Sequence, residues 1–291
     1  MKMSGILRRI RIGIVHPDRL LRYVKSGFRG PQLIDQTFND SEVCILSFPK
    51  AGRTWLRVLL GKLIHDVYGL TDPDALFLEP ELTRQAGIPP IYISHERIRP
   101  RSQTGGKVIE SKTRYADKKV LLMVRDIRDI IVSYYHHNHK RDLLFDGTIS
   151  EFIRSERFGV AKAIAFYKAW YDNQHVPKAF MLVRYEDLHL NIEHTLPNIV
   201  SFLGLEQPTE SQIAAAIAFS TFKNMQAMEL SGTLSAHQLS RKGEVQDVNS
   251  RKTRSGKIGG YTQELNQSDL DYIDDVMKQL DGPRDWLYYN P

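Results

Sequence analysis

The chain has 291 residues, 42% of them hydrophobic and 25% charged, with a formal net charge of +6 at pH 7. That is ordinary globular composition and enough length for one large α/β domain or two small ones, which speaks against wholesale disorder. The positive excess suits a polyanionic ligand, a nucleic acid or an anionic membrane surface without choosing among them. No apolar run approaches the roughly 20 residues of a membrane span, and the single cysteine, Cys44, excludes an intrachain disulfide.

In chain order, residues 1–40 come first, with Arg8, Arg9, Arg11, Arg19, Arg22, Lys25 and Arg29 set among Ile6, Leu7, Ile10, Ile14, Leu20, Leu21 and Phe28. This stretch reads as a basic arm or surface helix ahead of a folded domain over 41–291. A peripheral contact with a membrane surface or an acidic partner is the alternative. It lacks the continuous apolar core of a signal peptide. Cys44 sits in the apolar run VCILSF and reads as a small buried hydrophobe. A reducing, cytoplasmic setting is allowed and expected.

Four short apolar runs, Val43–Phe48, Ile91–Ser94, Val120–Val124 and Phe180–Val183, lack alternation, as strands covered on both faces do. Helical stripes fall between them. Trp55, Leu56, Leu59, Leu60, Leu63, Ile64 and Val67 make one, and Ile127, Ile130, Ile131 and Tyr134 another. Val160, Ala163, Ile164, Tyr167 and Trp170 make a third. Near the end Ser268 with Asp271 marks a helix start, with Leu270, Ile273, Met277 and Leu280 on its buried face. Strands alternating with helices predict a single α/β domain, a central parallel sheet flanked by helices. Its ligand site belongs at the carboxyl ends of the strands.

Two motifs lie at such ends. Ser47-Phe48-Pro49-Lys50-Ala51-Gly52-Arg53-Thr54-Trp55 joins the first strand to an amphipathic helix. A helix start offers unpaired N–H groups and the positive end of a dipole. Gly52 permits close backbone approach, Lys50 and Arg53 add charge, Thr54 a hydroxyl, and Trp55 a face for a base. The lysine precedes the glycine, so this P-loop-like turn is not the GxxxxGK[ST] loop of an ordinary ATPase or kinase. A plain basic turn over a buried Trp is the bland alternative. The second motif runs from Val124 to His137, and its Arg125 and Ser133 lie eight positions apart, about two helical turns. Arg125 can fork onto a phosphate and Ser133 can donate to it. Asp126, Arg128 and Asp129 read as an ion-pair cluster at the helix start. His136, His137 and His139 invite a metal, but their spacing gives no complete ligand set.

Together these motifs resemble the sulfotransferase family that uses 3′-phosphoadenosine 5′-phosphosulfate (PAPS). PKAGRTW is similar to that family's 5′-phosphosulfate loop, commonly PKSGTTW, with Ala51 and Arg53 departing from it. RDxRDxxVSYYHH is similar to its 3′-phosphate motif. Tyr185-Glu186-Asp187-Leu188 resembles a segment near the adenine, and Ser220-Thr221-Phe222 one that contacts the nucleotide. Arg254-Ser255-Gly256 resembles a loop that closes over the 3′-phosphate, with Ser255 in place of a lysine. Arg241-Lys242-Gly243 is a decoy for it, without the downstream glycine and aromatic. Singly, Tyr185 and Phe222 are as readily core residues.

The resemblance implies PAPS as co-substrate, with no metal required, and transfer of a sulfuryl group to a hydroxyl or amine acceptor. Lys50 then stabilises the leaving phosphate and His95 takes the acceptor's proton, with Glu96 as the reserve base. The acceptor, a small molecule or a glycan or lipid hydroxyl, is left open, its pocket assigned to variable loops at Tyr68–Pro90 and Lys140–Phe158. Oligomeric state is likewise open. A nucleotide kinase would want Mg²⁺ and a lysine after the glycine. A basic module for nucleic acid would cluster its basic and aromatic residues, whereas these motifs lie one per strand end.

Overall fold

The computed structural model describes residues 37–71, 78, 83–84, 87–88, 90–96, 98, 106–231 and 247–289. The basic residues of 1–36, most of Tyr68–Pro90 and the decoy Arg241-Lys242-Gly243 lie outside them. The chain divides after Asp40 into two units, and the second, Ser41–Pro291, holds the sheet and its helices.

The centre of this second unit is a four-stranded parallel sheet of β1 (Val43–Ser47), β2 (Ile91–Ser94), β3 (Lys119–Val124) and β4 (Ala179–Arg184) in the order β2-β1-β3-β4. Val43 is level with Ile91 on one side and Lys119 on the other, and Lys119 is level with Ala179. Every residue of β1 is buried, because both pleat faces are covered. Val43, Ile45, Leu121 and Met123 pack into one cluster with Leu56, Leu59, Leu60 and Leu63 of α1 (Arg53–Val67) and with Leu196, Ile199 and Val200 of α6 (Ile192–Leu203). Cys44, Leu46, Val120 and Leu122, on the opposite face, are also wholly buried. Burial pushes the Cys44 thiol up to about 12, so it stays a protonated hydrophobe.

The chain leaves β3 into α2 (Ile127–His136), whose N-cap Asp126 accepts from Arg128 N. Then come α3 (Ile149–Arg154), α4 (Val160–Asp172), α5 (Tyr185–Leu190), α7 (Glu210–Phe219), α8 (Phe222–Ser231), α9 (Gln267–Gln279) and α10 (Arg284–Leu287). The start of α9 differs from the sequence reading. Asn266 is the cap, its side chain accepting from Asp269 N at 2.9 Å. Ser268 lies inside the helix, where its carbonyl and hydroxyl face Arg154.

The strand order fixes where a ligand sits. From β1 the chain goes to β2 on one side, and β3 pairs with the other side of β1, so the topology switches between β1 and β3. The loops leaving their carboxyl ends diverge there and open a crevice.

Candidate active site

A cavity of about 460 Å³ occupies that crevice. The loop after β1 and the start of α1 form one wall, where Lys50, Gly52, Arg53, Thr54 and Trp55 line the cavity. Ala51 does not line it and is fully buried. The loop's shape needs an unusual backbone. Gly52 has φ 96°, and Lys50 adopts φ 76° despite its side chain, a conformation rare outside glycine and frequent at functional sites. A Cβ at Gly52 would come within 2.5 Å of Tyr185 Cδ2. No side chain caps α1, so its first amides and positive dipole end border the cavity. Burial, then Arg141, lowers the Lys50 ammonium to about 7. Burial, then Arg57, lowers Arg53 to about 9.

Arg125, at the end of β3, crosses the cavity floor with its guanidinium 4.4 Å over the Tyr185 ring. It donates to Lys257 O at 2.8 Å and to Asp129 Oδ2 at 3.2 Å. Ser133 lines the same cavity two turns along α2. Asp126 and Arg128 form the expected pair at the helix start, at 2.5 Å. Asp129 does something else. It accepts from Gly259 N at 2.9 Å and Tyr261 N at 3.0 Å, and so ties α2 and Arg125 to the loop that carries Arg254, Ser255 and Gly256.

Those three residues, with Tyr185, Ser220 and Phe222, complete the far wall. Tyr185 donates its hydroxyl to Gly256 O at 3.1 Å. A Cβ at Gly256 (φ 63°) would meet the Phe222 ring at 2.7 Å, so this glycine lets the loop lie on the ring. Trp55, Tyr185 and His189 hold ring centroids 5.5 to 5.8 Å apart. Arg254 donates to Glu264 Oε1 at 2.7 Å, and Glu264 also binds His136.

His95 lines the cavity just past β2. Its Nδ1 is 2.8 Å from Ser47 O. A carbonyl only accepts, so Nδ1 carries the proton and Nε2 keeps a lone pair. Burial, then Arg53, holds this imidazole well below its ordinary pKa, hence neutral at pH 7. Glu96 does not line the cavity. Its Oε2 accepts from Lys112 Nζ at 2.8 Å and Trp170 Nε1 at 3.3 Å. The Lys112 and Glu96 side chains are 0% and 2% exposed.

The site fits a polyanion carrying a base. Lys50, Arg53, Arg125, Lys252 and Arg254 line it against one carboxylate, the already engaged Asp129. Arg53 Nη1, Arg125 Nε and Arg254 Nε are buried with no hydrogen-bond partner among the described residues, a cost that an anion would relieve. Among the described residues no group of three His, Cys, Asp or Glu side chains could hold a metal. No helix there is long and apolar enough to cross a membrane.

The family model for the sulfotransferase domain matches residues 40–282. The chain belongs to the sulfotransferase domain family. Human sulfotransferase 2B1 is 25% identical over 209 residues, covering 67% of this chain and 55% of that protein. Mouse sulfotransferase 4A1 is 27% identical over 191 residues, covering 60% and 63%. The chain thus spans 55% to 63% of the length of these curated relatives. Flavonol 3-sulfotransferase of Flaveria bidentis is 21% identical over 287 residues, covering 87% and 86%. Among solved structures, retinol dehydratase with androsterone and the inactive cofactor PAP gives a TM-score of 0.59 at 15% identity, covering 88% of this chain and 85% of that one. Mouse sulfotransferase SULT7A1 with PAP gives 0.56 at 15%, covering 87% and 90%. At such identities the likeness is one of fold.

In this sulfotransferase domain the cavity also takes residues outside the sequence motifs' expected ligands, above all Asp129, His137, His189 and Lys252. His137 and His189 follow Ser133 and Tyr185 respectively by one helical turn, and that spacing is a usable signal. Lys252 has no such periodic partner. Its backbone is set by Glu229, 23 positions away, at 2.8 Å. No residue of Lys140–Phe158 lines the cavity.

Proposed function

We propose that this chain transfers a sulfuryl group from PAPS to a hydroxyl acceptor, and that residues 41–291 are the catalytic domain with 1–40 a basic arm. The observation that carries this reading is one cavity in which Lys50 and Arg53 share walls with His95, Arg125 and Ser133, three of its guanidinium nitrogens lacking hydrogen-bond partners among the described residues. PAPS would supply an activated sulfuryl group on a phosphate leaving group. Lys50, Arg53, Thr54 and the start of α1 would hold its 5′ end. Arg125, Ser133, Arg254, Ser255 and Gly256 would hold the 3′-phosphate, and Trp55, Tyr185, Ser220 and Phe222 the nucleoside.

His95 Nε2 then takes the acceptor's proton as the acceptor oxygen forms its bond to sulfur. The sulfur–oxygen bond to the 5′-phosphate breaks, and adenosine 3′,5′-bisphosphate leaves. Lys50 stabilises the charge that develops on the departing oxygen, where a positive group gains most in the transition state. His95 is preferred to Glu96 because Lys112 engages the carboxylate away from the cavity. The step needs no metal, so activity should survive EDTA.

The acceptor on this reading is a small molecule with a hydroxyl group. The solved relatives with retinol and androsterone are consistent with that class.

Calorimetric titration with adenosine 3′,5′-bisphosphate and with ADP tests the reading. Tight binding of the first and much weaker binding of the second is expected. Equal affinity, or a preference for ATP with Mg²⁺, would point to a kinase instead.

A further inference from the structure

We propose that Lys252 is a second anion-binding lysine, which grips the phosphosulfate end of the nucleotide opposite Lys50. The proposal rests on the sulfotransferase reading and adds to it a residue outside every motif recognised in the sequence.

Lys252 lines the same cavity as Lys50, Arg53 and His95. Its root is held unusually firmly. The Glu229 carboxylate accepts from Lys252 N at 2.8 Å, Thr253 N at 2.9 Å and Thr253 Oγ1 at 2.7 Å. Glu229 is in turn paired with Arg141 at 2.7 Å, the two side chains 3% and 4% exposed. Arg141 reaches on to Ser250 O at 3.1 Å. A buried ion pair is an expensive device that apolar packing often matches in stability. Here its bonds converge on residues 250, 252 and 253, so what it fixes is the backbone that presents Lys252 to the cavity.

The charges around Lys252 come from five elements. Lys50 is on the loop after β1, Arg53 and Arg57 are on α1, His95 follows β2, and Arg141 follows α2. Glu229, on α8, is the facing carboxylate, and its oxygens are already taken by Arg141 and residues 252 and 253. Burial, then Lys50 and Arg141, holds Lys252 well below the ordinary lysine range. Lys252 and Lys50 both depress His95, and all three line the one cavity. Cations gathered this closely repel one another until an anion lies among them. Such an anion restores protons to both lysines, so binding should take up protons from solution above neutral pH.

The test is titration of the full chain with adenosine 3′,5′-bisphosphate at pH 8, in two buffers of different ionisation heat. Affinity and proton uptake are then read together for the wild type, Lys252→Met, Lys252→Gln and Lys252→Arg. The wild type should take up protons. Lys252→Met and Lys252→Gln should bind about 10- to 100-fold more weakly, as for a lost hydrogen bond to a charged group, and take up fewer protons. Lys252→Arg should recover most of the affinity while its proton uptake stays below the wild type's, since an arginine there is already charged and only Lys50 is left to gain a proton. Wild-type affinity and proton uptake in Lys252→Met or Lys252→Gln would overturn the role of Lys252. Failure of the wild type itself to bind the bisphosphate would instead sink the sulfotransferase reading.

Discussion

Lys50 carries its side chain on a left-handed backbone, φ 76°, beside other cations in a half-buried site. Neither feature favours the folded chain, and both favour an anion. The penalty has a definite pH dependence. Burial lowers the Lys50 pKa to about 7, against 10.5 when unfolded. Between those values the unfolded chain holds more protons, so this group's penalty is full below pH 7 and fades as pH rises toward 10.5. Lys50→Met should therefore raise the melting temperature of the ligand-free chain, more at pH 6 than at pH 9, while nearly abolishing turnover. A lower melting temperature at pH 6 would show that Lys50 supports the fold instead. His95 should fail differently. It is fixed through Nδ1 by Ser47 O and in the proposed mechanism addresses only the acceptor's proton. His95→Gln should lose about 10²–10⁴-fold in kcat with bisphosphate affinity unchanged. An equal loss of affinity would place the residue at the nucleotide.

At the scale of elements, β1 and β3 are legible because burial on both faces writes itself as an unbroken apolar run, and the mostly half-buried β4 carries a similar run. Only their ends differ. β1 stops at Ser47 because Phe48 turns into the aromatic group of Tyr134, Phe166 and Tyr167, and β3 takes in Lys119, which is only half-buried. The α9 start escapes the sequence pattern because Ser and Asn are comparable N-caps, and the pattern alone does not rank neighbouring candidates. Long-range ion pairs leave no trace in sequence periodicity. The Arg141–Glu229 bracket spans 88 positions and the Lys112–Glu96 pair 16. The second pair matters locally, since Glu96 has φ 52° and directly follows His95. Lys112 also lies 4.6 Å over the Trp170 ring, so the pair closes the core under that turn. Lys112→Met leaves a buried carboxylate unpaired and should cost about 3–5 kcal/mol in urea unfolding. Adding Glu96→Gln should recover a large part of it. A single-variant loss under about 1 kcal/mol would mean that Glu96 protonates or finds water.

Over the whole molecule, the site is where distant parts of one domain meet. Its walls run from Pro49 to Gly260 in sequence, and Lys50, Arg53, Arg125, Lys252 and Arg254 line it against a single lining carboxylate, Asp129. A nucleotide bridging those walls should therefore act on global stability. Ligand at 100 times its Kd adds about 2.7 kcal/mol to the folded state. For a domain of this size each kcal/mol raises Tm by about 2–4 °C, so adenosine 3′,5′-bisphosphate should raise Tm by about 5–10 °C. ADP at the same concentration should do much less, because it lacks the 3′-phosphate that Arg125 and Ser133 are proposed to hold. Arg125 also braces the site walls through Asp129 and Lys257 O, so Arg125→Ala needs a matched control. Its unliganded Tm serves as baseline, and the readout is the shift above it. Arg125→Ala should lose about 1.5–3 kcal/mol of bisphosphate binding, enough to remove about half or more of that shift, while the small ADP shift persists. If the bisphosphate and ADP shifts shrink together, Arg125 acts on the walls in general and does not read the 3′-phosphate.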